Sequence, residues 1–190
     1  MKLIFSLLLL FPLFVKAQTT ESPTPEILIQ NIFKMAQNEN PLKNVKLKQE
    51  LDSQFDFKTM SLNILGNDST KVNANELKWF EQSIQEIITK TVYPKAPEFL
   101  KGVKISYKST LIDNNTATVP SVVSKRGEKT DVNYTLLKSG NTWKVIDVSI
   151  DEESWVKTIN EKMKKTMKEK GWKGIKDLLT KRIKELNKKV

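Results

Sequence analysis

The apolar residues of this chain change period twice, and that change limits the folds open to it. From Leu28 to Thr91 they recur every three or four residues. From Val103 they recur every second residue, and near Trp155 they return to helical spacing. The first spacing lines one side of a helix and the second lines one face of a strand. Helices, then strands joined by short turns, then helices predict an α+β domain built on an antiparallel meander.

The boundaries follow from local chemistry. Pro25 suits the first turn of a helix, with Thr24 as its cap and Leu28, Ile32 and Met35 on one side. A second helix is expected after Pro41, carrying Val45, Leu47 and Leu51. Residues 55–66 read as a short helix capped by Asp56 and stopped by Gly66. Asn73 and Glu76 form a capping box, opening a helix that carries Leu77, Phe80, Ile84, Ile87 and Ile88 and ends near Tyr93.

Four strands are expected. Val103, Ile105 and Tyr107 alternate in the first, Ala117, Val119, Ser121 and Val123 in the second, and Val132, Tyr134 and Leu136 in the third. In the fourth, Trp143 and Val145 oppose Ile146, Val148 and Ile150. Turn residues stand at 113–115, 126–127 and 139–141. Asp151 is then placed to cap a helix with Trp155, Ile159, Met163 and Met167 at four-residue spacing. Gly171 breaks it, and Trp172, Ile175, Leu178, Leu179, Ile183 and Leu186 line a second amphipathic stretch. The predicted arrangement is a curved four-stranded antiparallel sheet with several helices on one face.

Residues 1–17 have the pattern of a cleavable secretory leader. Met1-Lys2 is basic, Leu3 to Val15 is almost wholly apolar, and Val15-Lys16-Ala17 precedes a cut at Gln18. The run is too short, and too interrupted at Pro12, to span ~30 Å of hydrocarbon. Residues 18–190 then form a single exported, soluble domain. With no cysteine in the chain, stability must come from a core rather than disulfides.

Charge is concentrated at one end. Residues 157–190 hold 13 Lys/Arg against 4 Asp/Glu, a net of +9, whereas residues 18–156 hold 17 against 18. Such a tail attracts anionic phospholipid or an acidic partner. It also fits a solvated face of Lys-rich helices. Export argues against nucleic acid. The absence of both His and Cys removes the commonest general base, metal ligand and thiolate nucleophile. No cofactor motif is present. The remaining enzymatic possibility is a buried base at Asp147 beside Tyr107 and Tyr134.

Three segments carry a resemblance. Phe55-Asp56-Phe57, Met60-Ser61 and Leu65-Gly66 resemble a pattern FDF-x-x-M-(A/S)-x-x-x-LG. Trp143-Lys144-Val145-Ile146-Asp147-Val148-Ser149-Ile150, with Ser154, resembles W-K-V-Y-D-V-x-(I/V)-x-G-x-S. Lys170-Gly171-Trp172-Lys173-Gly174-Ile175 is similar to K-x-G-(F/W)-x-G-(L/I), one residue shorter. In this order they resemble the MlaC family, also called the toluene-tolerance family. Three departures stand out. Ile146 replaces a Tyr, Glu152-Glu153 stand where a Gly is common, and no Tyr-Trp follows Gly66.

The resemblance implies a cystatin/NTF2-like fold and a non-enzymatic periplasmic phospholipid carrier of a Gram-negative bacterium, with no cofactor. It implies exchange of lipid with an inner-membrane ABC transporter and its hexameric lipid-binding ring, and with an outer-membrane lipoprotein complex. Carriage of another hydrophobic cargo, such as lipoprotein acyl chains, is the alternative. A carrier answers a physical need. Two tails of ~16 carbons expose about 30 methylenes, and at ~0.8 kcal/mol each that costs on the order of 25 kcal/mol in water.

The expected pocket lies between sheet and helices. Alternation and helical spacing assign it Ile105, Tyr107, Val119, Val132, Tyr134, Val148 and Ile150 from strands, and Ile84, Ile87, Trp155, Ile159 and Met163 from helices. For the leader, N-terminal sequencing of the exported protein is expected to begin at Gln18. An apolar start retained in the membrane fraction would contradict it.

Overall fold

The computed structural model describes residues 22–188, and the leader at 1–17 lies outside them. Helix α1 spans Pro25–Ala36. Its cap is Thr24, whose Oγ1 accepts from Ile27 N at 3.3 Å. Helix α2, Val45–Asp52, follows a single tight turn at Pro41–Lys43. Helix α3, Phe57–Leu65, is capped by Asp56, which accepts from Thr59 N at 2.9 Å. Helix α4, Ala74–Val92, opens with the expected capping box: Glu76 N donates to Asn73 Oδ1 at 3.0 Å and Asn73 N to Glu76 Oε2 at 3.1 Å. A short helix α5, Ala96–Leu100, precedes the sheet.

The sheet has six strands rather than four. They are β1 (Lys104–Tyr107), β2 (Leu111–Asp113), β3 (Thr116–Lys125), β4 (Glu128–Ser139), β5 (Thr142–Ile150) and β6 (Glu153–Ser154). All pairings between strands are antiparallel, in the order β1-β3-β4-β5-β6, and β2 shares the outer edge of β3 with β1. The two additional strands are three and two residues long, too short for alternation to declare them.

Helix α6, Trp155–Asn187, closes the chain and is kinked at Gly171, where φ is 62° and ψ −167°. Its cap differs from the expected one. Asp151 and Glu152 sit in a left-handed turn, and Ser154 Oγ accepts from Lys157 N at 2.9 Å. The first half buries Val156 in place of Trp155, which is 37% exposed. The inward series therefore begins one position later, at Val156, and continues at spacings of three and four through Ile159, Met163 and Met167.

Helices meet both faces of the sheet. Leu28 and Ile29 of α1 pack on Ala117, Val119, Val132, Tyr134, Leu136 and Val145 of one face. Ile146 and Leu137 alternate to the opposite face and join a separate core among α3, α4 and α6, where Ile64, Phe80 and Ile175 are each 0% exposed. Trp172 packs edge-on to Trp79 at 6.1 Å and beside Phe80 at 6.0 Å. A third cluster, Ala36, Leu51, Tyr93 and Ala96, joins α1, α2 and α5.

Asp147 fastens α6 to the sheet. Its Oδ1 accepts from Val148 N at 2.8 Å and Val156 N at 3.0 Å, and its Oδ2 accepts from Ser154 Oγ at 2.5 Å. Replacing it leaves two helix-entry donors without acceptors. Asp147→Ala is expected to destabilise the fold by about 1–3 kcal/mol. That lowers Tm by roughly 2–4 °C per kcal/mol in a chain this size, measured by thermal melting. An unchanged melt would show that water replaces the carboxylate.

Candidate functional site

Strand register builds one continuous apolar face. Across it, Tyr107, Ser121, Val132 and Ile150 form one row, Val119, Tyr134 and Val148 the next, and Ala117, Leu136 and Val145 a third. The rows line up because β5 carries a bulge: Thr135 pairs with Asp147 and Leu136 with Val145, leaving Ile146 as the extra residue. The insertion returns Val148 and Ile150 to the side of Trp143 and Val145. The expectation that these pairs oppose each other is thereby corrected.

Helix α1 covers this face. Leu28 and Ile29 are 2% and 1% exposed, and Ile32 and Phe33 pack beside them. Phe33 meets Tyr134 edge-on, with ring centroids 5.8 Å apart. Beneath the helix, Val119 and Leu136 are fully buried. Ser121 is the polar exception, and its Oγ donates to Val132 O at 3.0 Å. Burial, with the Glu26 carboxylate nearby, pushes the Tyr107 hydroxyl up to about 12. Burial raises Tyr134 as well. Both phenols stay protonated and uncharged at neutral pH, so the face carries no charge of its own.

Eleven of the twelve residues expected to line one pocket fall into two places. Val119, Val132 and Tyr134 lie in the core under α1, with Tyr107 and Val148 half-buried at its margin. Ile105 is half-buried opposite Val123, and Ile150 reaches the rim at 55% exposure. Ile84 and Met163, with Ile87 and Ile159 beside them, belong instead to the core among α3, α4 and α6. Trp155 joins neither core. The reason is directional: the strand residues face α1, whereas the helical stripes face one another. Sequence reasoning found the apolar spacing of α1 but not its partner. Leu28, Ile29, Ile32 and Phe33, with Ser121, are the site residues it missed. The one signal available was a helix with an apolar side and no assigned surface to cover.

An open depression of about 630 Å³ lies between the end of α1, α5 and the start of β1, lined by residues including Gln37, Pro97, Leu100 and Val103. None of the twelve lines it. The possible catalytic set does not converge either, because Tyr107 and Tyr134 lie on the α1-covered face while Asp147 anchors α6. Among the described residues, no cluster of three or more His, Cys, Asp or Glu could hold a metal, and no helix is long and apolar enough to cross a membrane.

The sequence pattern of the family described as MlaC protein matches residues 26–181. No curated protein matches the chain. Among solved structures, the phospholipid-binding protein from Ralstonia solanacearum, determined in complex with a phospholipid, is similar in fold. Its TM-score is 0.73 over 85% of this chain and 96% of that one, at 19% identity. The family pattern spans α1, the whole sheet and most of α6, and on that match this chain belongs to the MlaC family.

Proposed function

We propose that this protein is a periplasmic carrier that holds phospholipid by its acyl chains and shuttles it between the inner and outer membranes. Its partners are an inner-membrane ABC transporter with a lipid-binding ring and an outer-membrane lipoprotein complex. One observation carries the reading: an uncharged, largely apolar sheet face covered by a single amphipathic helix. Acyl chains need a surface of that kind, wide, apolar and without directional contacts. Family membership and a similar fold that holds phospholipid in the Ralstonia protein support it.

The acyl site belongs on the α1-covered face. The core among α3, α4 and α6 is the less suitable place, since three helices close around Ile64, Phe80 and Ile175, whereas α1 alone lies over the sheet face. Two variants separate these regions. Val132→Glu puts a carboxylate at the edge of the α1-covered face, beside the exposed Ile150, and Ile84→Glu puts one in the helical core. The first is expected to melt cooperatively and carry no lipid by mass spectrometry. The second is expected to lose its folded melt, because a buried unpaired charge has no compensation there. Wild-type protein is expected to co-purify with phospholipid. A different bound acyl species would reassign the cargo. An empty wild type, with both variants unfolded, would make the face a closed core.

The basic helix serves the encounter with membranes. Lys157, Lys164 and Lys168 are exposed along one flank of α6, and among the described residues none has a carboxylate within salt-bridge reach. Their attraction to an anionic surface is screened over ~8 Å at physiological salt. Transfer from anionic vesicles is expected to slow as salt rises, with the change in association rate. A salt-independent rate would leave these lysines as a solvated face only.

A further inference from the structure

The helices differ in how they are fastened. Asp52, at the end of α2, accepts from Gln85 Nε2 of α4 at 3.0 Å and from the Tyr93 hydroxyl at 2.8 Å. The segment leading into α3 donates Asp56 N to Val145 O at 3.0 Å. Lys125 of β3 reaches the Glu98 carbonyl of α5 at 3.2 Å. The entry to α6 rests on Asp147. Helix α1 has nothing comparable. Among the described residues, no hydrogen bond or salt bridge links Pro25–Ala36 to another element, and its cap and its Glu26–Gln30 bond are internal.

We infer that α1 is a displaceable cover: in the empty protein its apolar side occupies the acyl-chain surface of the sheet, and incoming chains take its place. The inference rests on the carrier reading above. Contacts made by Leu28, Ile29, Ile32 and Phe33 are apolar and non-directional, so methylene groups of an acyl chain replace them like for like. Lifting any other helix would strand donors or acceptors that it shares with another element. Lifting α1 strands none, because the Ser121 hydroxyl beneath it is already satisfied by the Val132 carbonyl. The helix moves as an intact unit, since Thr24 and Gln37 satisfy its ends. Its last turn is held by Ala36 among Leu51, Tyr93 and Ala96, which places the pivot at the C-terminal end and the opening at the Glu26 end.

The chain has no cysteine, so an introduced pair is the only thiol chemistry available. Glu26 lies close enough to Tyr107 to act on its hydroxyl. In Glu26→Cys/Ser109→Cys, with Ser109 exposed two residues past Tyr107 and outside the apolar face, a reducible bismaleimide would tie the opening end of α1 to the segment that follows β1. Uptake of fluorescent phospholipid from phosphatidylglycerol vesicles is expected to fall at least tenfold in the tied protein and to recover after reduction. In a second measurement, spin labels at Gln30→Cys and Lys129→Cys, both exposed and outside the site, are expected to separate by several ångströms on loading. Equal uptake by tied and reduced protein, or an unchanged label distance in lipid-loaded protein, overturns the cover and leaves the carrier standing. Wild-type protein that takes up no phospholipid removes the carrier reading, and the cover with it.

Discussion

The exchange of backbone hydrogen bonds between Val145 and the segment before α3, with the Asp147 anchor two residues on, fixes where two helices sit. Val145 N donates to Gln54 O at 2.9 Å, and Val145 O accepts from Asp56 N at 3.0 Å, so Phe55 forms a parallel bridge beside β5. One residue later the chain bulges at Ile146, and one residue after that Asp147 takes hold of α6. Within three positions the sheet thus receives α3, turns a side chain into the helical core and anchors the longest helix. Asn160 of α6 completes the circuit by donating its Nδ2 to Ile64 O, at the end of α3, at 2.8 Å.

The segments that carry the family resemblance therefore hold joints as well as surface: Val145 and Val148 face α1, while Asp56, Gly66, Asp147 and Gly174 set how elements meet. Asp56 caps α3, and its Oδ2 also accepts from the Thr59 hydroxyl at 2.8 Å. Gly66 has φ +56°, and a Cβ there would come within 3.2 Å of Asn160 Nδ2, so both backbone and space favour glycine. Gly174 has no room at all, with Lys170 Cβ 2.3 Å from where its own would stand. Ile146, where a tyrosine is usual, turns its side chain into the helical core, away from the α1-covered face. These positions set how parts meet. The surface that would meet lipid can vary among apolar residues, which is why a shared fold at 19% identity is unsurprising.

Much of this architecture was legible because its signals are local. Thr24, Asp56 and the Asn73–Glu76 box announce helix starts through their own backbone contacts, and Gly66 and Gly171 announce a stop and a kink. The period of two located four strands. What could not be read was anything that depends on a single inserted residue or a distant partner. The bulge at Ile146 reverses the facing of Val148 and Ile150, and a strict count of two has no means of detecting it. Ser154 displaced Asp151 as a cap because β6 carries the chain past the turn before α6 begins. The site suffered most, since apolar spacing reports that a side is buried but not what buries it. Ile84 and Val132 carry the same signal and lie in different cores.

The outer edge of β3 is divided between two short strands, four and three residues long, with Lys108 to Thr110 between them, and the other end of the sheet finishes in the two-residue β6. Lys108 N donates across the gap to Pro120 O at 2.8 Å, and proline itself offers no donor there. Among the described residues, no long, unbroken ladder of backbone groups is left for another chain to extend. A protein that uncovers an apolar sheet to exchange cargo runs the hazard of polymerising through that sheet at the same moment. Here the broken margins would make strand addition poor if α1 lifted as proposed, so baring the face would not by itself lead to aggregation.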